Sequence, residues 1–97
     1  MIVIKKEDNL ITIEGHADYS DSLDIVCASV SSIMYATVNA ALKLSSTSID
    51  YKDDGNIVKI KVLENDKYTE TLINNMLSLY MELASKYPKN IKVESEE

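Results

Sequence analysis

Two short runs rich in Ile, Val and Thr open the chain, Met1 to Lys6 and Leu10 to Glu14, with the polar residues Glu7, Asp8 and Asn9 between them. Such runs around a tight polar link predict an antiparallel hairpin. From Asp24 the period changes, and Val26, Val30, Ile33, Met34, Val38 and Ala41 recur at steps of three and four. That spacing marks one face of a helix running to about Leu44. Ser45 to Ser48 form a polar break, after which Thr47, Ile49 and Tyr51 alternate and then Val58, Ile60 and Val62 alternate again. Asp53, Asp54, Gly55 and Asn56 supply turn chemistry between the two runs, so a second hairpin is predicted. Asn65 or Asp66 is placed to cap a second helix with the apolar stripe Leu72, Ile73, Met76, Leu77, Tyr80 and Leu83, which Pro88 stops. Ile91 to Val93 reads as a last short strand.

The order ββαββα(β) predicts an α+β fold, a two-layer sandwich with both helices on one face of a largely antiparallel sheet. Residues 1–93 read as a single domain and residues 94–97 as an acidic tail that frays.

Composition narrows the possible functions. A chain of 97 residues with 45% hydrophobic content builds one core and has no room for a second. The net charge is −6 and arginine is absent, which argues against direct nucleic-acid contact, because phosphate binding draws on clustered Lys and Arg. Partners are expected to be neutral or basic. No stretch is read as reaching the roughly 20 apolar residues of a membrane span, and Met1 to Lys6 does not look like a secretory signal. The expectation is therefore a cytoplasmic protein without membrane contact. With one Cys and one His, the chain is expected to form no internal disulfide, no four-ligand metal site and no cofactor site.

The stretch Glu14 to Ser32, EGHADYSDSLDIVCASVSS, holds that His and that Cys, His16 and Cys27. If the second strand ends near Gly15 and the helix starts at Asp24, the loop Ala17 to Leu23 can fold His16 back over the first helical turn. With Asp24 as N-cap, Cys27 falls in that turn, where the helix dipole favours thiolate. Ser31, four residues on, shares its face. The same residues also admit a plainer account. A lone Cys in an apolar helix is more often a small buried hydrophobe, Asp24 can simply cap, His16 can close a turn, and Ser29, Ser31 and Ser32 can let the helix pack closely. Spacing leaves both open.

Gly15-His16-Ala17 followed by Asp24-Ile25-Val26-Cys27-Ala28 and then Ser31 resembles the ribosomal-processing cysteine protease family, Prp, whose hallmark is this pair of motifs. The similarity in element order extends over nearly the whole chain. It implies that Cys27 is the nucleophile and His16 its base, with Asp24, Ser31 and Gly15 supporting the site or the substrate. It also implies a homodimer whose substrate is a ribosomal protein precursor, the N-terminally extended large-subunit protein number twenty-seven. There are two departures: Ser22 stands where the family usually has Gly, and the loop between His and Cys is one residue shorter. That loop is expected to move aside for substrate. The alternative is a ribosome-associated binding module of the same fold that has lost catalysis.

Overall fold

The computed structural model describes residues 1–15 and 21–95, with side chains from residue 25 onward in the second stretch. The elements run β1 (Ile2–Glu7), β2 (Leu10–Glu14), α1 (Asp21–Leu44), β3 (Ile49–Asp53), β4 (Ile57–Val62), α2 (Lys67–Lys86) and β5 (Ile91–Ser95). The strands form one sheet in the order β3-β4-β2-β1-β5. Every pair is antiparallel except β1 with β5, which is parallel. The α+β reading and the order ββαββαβ therefore hold.

Local chemistry explains each hairpin. In the first, Asp8 takes a left-handed conformation, φ 52°, which a short polar side chain tolerates. In the second, the Asp53 carboxylate accepts the Gly55 N–H at 2.9 Å, and Asp54 accepts the N–H groups of Asn56 at 2.9 Å and Ile57 at 2.8 Å. Those bonds from Ile57 and Asn56 hold the Asp54 carboxyl below its ordinary range.

Alternation then sorts the strands into two faces. Ile4 of β1, Ile11 and Ile13 of β2, Ile60 of β4 and Ile91 of β5 point to the helices and are buried. Lys5, Lys59, Lys61 and Lys92 occupy the alternate positions. Onto the apolar face α1 presents Val26, Val30, Met34, Val38 and Ala41, the stripe that the periodicity marks. α2 adds Ile73, Met76, Leu77 and Tyr80. The Tyr80 hydroxyl donates to the Val30 carbonyl at 2.9 Å, tying the two helices together inside the core. Of the two possible caps for α2, Asp66 is the one used: it accepts the Thr69 N–H at 2.9 Å and the Thr69 hydroxyl at 3.1 Å.

Four features differ from the sequence reading. α1 begins at Asp21 rather than Asp24. Nothing in Asp21-Ser22-Leu23 breaks a helix, and acids near a helix N-terminus favour it. β3 begins at Ile49 and not at Thr47, because Ser48 closes the preceding connection: its buried hydroxyl donates to the Ala41 carbonyl at 2.9 Å. β5 continues to Ser95, into the stretch read as a frayed tail, with Glu94 lying 3.1 Å from Lys92 and 3.8 Å from Lys5. Finally, Ile25–Leu44 of α1, 20 residues with a mean hydropathy of 1.6, does reach the length and apolarity of a membrane span. Its apolar stripe lies against the sheet and α2, as a core helix requires.

Candidate active site

Three of the residues singled out from the sequence meet at one end of the sheet, in a cavity of about 190 Å³ under the N-terminal half of α1. Cys27, Val30 and Ser31 come from α1, and Gly15 from the end of β2. Ile2, Ile13 and Val58 supply an apolar floor from three strands. The β3–β4 turn closes the side with Asp53, Gly55 and Asn56. The volume suits part of a peptide rather than a drug-sized ligand, which fills about 300 Å³ or more. A larger groove of about 570 Å³ lies between α1 and α2, lined by residues such as Ile25, Ile33, Leu79 and Leu83. Ile25 and Ala28 of the Cys27 motif reach this groove, but Cys27 itself lines the smaller cavity.

Each lining residue has a local reason for its place. Gly15 has φ 95°, and a Cβ added there would run into the Met1 carbonyl oxygen. Both facts call for glycine where the chain leaves β2 towards His16. Cys27 is a half-buried free thiol packed against the core. Ser31 is exposed one turn further on, and its hydroxyl makes no hydrogen bond among the described residues. Ser29, by contrast, turns its hydroxyl back to the Ile25 carbonyl at 2.8 Å.

The early start of α1 corrects one part of the sequence argument. Asp24 lies inside the helix and is not its N-cap, and Cys27 follows the first helical residue, Asp21, by six positions. The helix-end charge falls off within the first turn, so its effect on the thiol is weaker than the Asp24-capped reading implied. His16 lies outside the described residues, as does the side chain of Asp24. Of the loop Ala17 to Leu23, residues 21–23 are helical, and the rest lies outside the described residues.

The contribution of the second hairpin was missed. Asp53 and Asn56 read as turn formers from sequence, because only the sheet order sets β4 beside β2 and brings that turn to Gly15. Tyr51, on the same face of β3 as Asp53, has its phenol pushed up to about 12, by burial first, then by Tyr35 and by the Asp53 charge. Among the described residues no group of three or more His, Cys, Asp or Glu side chains could hold a metal ion.

The chain matches the family "Cysteine protease Prp" over residues 1–92. It is 30% identical to the ribosomal processing cysteine protease Prp of Staphylococcus aureus over 87 residues, 86% of this chain and 82% of that one. A crystal structure of the S. aureus protease with a covalently linked product peptide superposes with a TM-score of 0.83 at 27% identity, covering 98% of this chain and 97% of that one. A Streptococcus mutans structure shares the fold at 24% identity, with a TM-score of 0.81, covering 97% of this chain and 90% of that one. A thiol, a serine hydroxyl and a required glycine around one cavity thus sit in a fold whose solved relatives include a protease holding a peptide, and the chain belongs to the cysteine protease Prp family.

Proposed function

We propose that this protein is a cysteine endopeptidase in which Cys27 attacks a peptide carbonyl and His16 serves as general base and acid. The observation that carries the reading is the shared cavity of Gly15, Cys27 and Ser31. Attack by the Cys27 thiolate gives a tetrahedral intermediate. Its collapse breaks the C–N bond, with the His16 imidazolium protonating the departing amine. Water, deprotonated by His16, then hydrolyses the thioester and restores the thiol. Because Cys27 lies beyond the first turn of α1, where the helix-end charge has fallen off, the reading assigns its activation to His16. The Ser31 hydroxyl, without a hydrogen bond among the described residues, is suited to donate to the substrate, and Asp24, within the first turn of α1, supports the site.

Within this reading the substrate is the N-terminal extension of large-subunit ribosomal protein number twenty-seven, cleaved in the cytoplasm by a homodimer. The S. aureus relative's description as a ribosomal processing protease supports that substrate class. Incubation with the extended precursor is the test. Wild type should yield two products of defined mass, and folded Cys27→Ala should yield none. His16→Ala should be inactive, and its Cys27 should alkylate more slowly near neutral pH. Cleavage by Cys27→Ala would remove the nucleophile assignment, and an unchanged alkylation rate would return His16 to a turn residue. An intact precursor after incubation with wild type would favour the binding-module alternative.

A further inference from the structure

We propose that Asp53 is the specificity-determining residue of the Cys27 cavity, selecting peptides that carry a lysine or arginine side chain close to the scissile bond. The inference deepens the proteolytic reading and rests on it. Along β3 the helix-facing positions are Ile49, Tyr51 and Asp53, so the strand's own alternation directs Asp53 towards α1 rather than to the open face of the sheet. Its cross-strand partner is Val58, and the partner of Val58 on β2 is Ile13, both on the floor of the cavity. Asp53 therefore stands at the end of an apolar row, in the lining it shares with Cys27. It is the one charged side chain lining the cavity among the described residues, and no cation pairs with it among them.

Turn formation does not by itself call for a charge at this position. One oxygen of Asp53 accepts the Gly55 N–H, a bond that the amide oxygen of Asn makes equally well. Asp54 accepts the two amides that follow. On the same helix-facing side of the strand, Asp53 adds a lesser contribution to the raised pKa of Tyr51, after burial and Tyr35. Asp53 is exposed, so an ammonium or guanidinium group meeting this carboxylate forms a charge-assisted hydrogen bond of modest, salt-screened strength.

Asp53→Asn separates charge from turn, because it keeps an acceptor for Gly55. The probes are peptides spanning the extension junction, in which a Lys or its neutral counterpart Gln is moved through the positions flanking the scissile bond. For wild type, kcat/KM should favour Lys over Gln at one position by about 3- to 5-fold, and the preference should shrink as salt is raised. In Asp53→Asn that ratio should collapse towards one at an unchanged thermal midpoint. Asp53→Lys should favour Glu at the same position. Dissociation constants for the same peptides on Cys27→Ala protein give the ratio independently of turnover. If wild type cleaves nothing, the proteolytic reading falls while the binding ratio still judges Asp53. An equal Lys-to-Gln ratio in wild type and Asp53→Asn, in cleavage and in binding, would overturn the proposal.

Discussion

Two glycines with nearly the same backbone angle, φ 95° at Gly15 and 92° at Gly55, stand in different surroundings. A Cβ at Gly55 would meet nothing within 4 Å, whereas one at Gly15 would strike the Met1 carbonyl oxygen. Gly55→Ala should therefore cost only the left-handed strain, about 1 kcal/mol, and Gly15→Ala more, about 2–3 kcal/mol, because β1 must also shift. Urea unfolding of the two variants side by side measures the difference, and equal midpoints would show that the terminal strand yields without cost. Gly15, Cys27 and Ser31 were legible as residues of interest, since each belongs to a motif of unusual composition within 17 positions of its neighbours. Asp53 was not, because an Asp before Asp-Gly carries the same turn signal whether or not it borders a cavity.

At the scale of elements, the caps and connections decide where each helix and strand begins. Asp66 caps α2, and the bonds it accepts from Thr69 hold its carboxyl below the ordinary value of 3.8. A depressed folded pKa means that the contribution is present above the unfolded value and is lost as pH falls through the folded one. Between about pH 5 and pH 2 the wild type should therefore lose more stability than Asp66→Asn, which caps without titrating. Parallel acid dependence of the two proteins would show that the cap charge is inert. Both helices, both hairpins and the final strand could be anticipated from periodicity and turn residues. Their ends could not: α1 continues back to Asp21, β3 waits for Ser48 to satisfy the Ala41 carbonyl, and β5 runs on to Ser95 alongside β1. Each of these limits depends on a partner outside the element itself, or on the absence of any local stop.

For the whole molecule, alkaline pH tests how the core holds its phenols. Burial raises the pKa of Tyr80 well above its ordinary 10.0, and that of Tyr51 is pushed up to about 12. A raised folded pKa leaves stability unaffected while both states are protonated. Stability then falls as pH rises past 10, where the unfolded chain ionises first, and goes on falling through about 12. Tyr80→Phe should lower stability at neutral pH by about 1 kcal/mol, through loss of the bond to the Val30 carbonyl, while flattening the alkaline decline. An alkaline slope identical to wild type would mean that Tyr80 ionises without unfolding the chain. The sequence by itself determined the element order, the two-layer class, the buried stripes and the paired motifs around His16 and Cys27, because periodicity, turn chemistry and motif spacing are properties of neighbours along the chain. Only the tertiary structure decided that β4 lies against β2, that β5 pairs in parallel with β1, and that the Asp53 turn closes the Cys27 cavity. Those relations arise from which apolar faces and unpaired strand edges find one another in space, and many sequences of the same local pattern satisfy them differently.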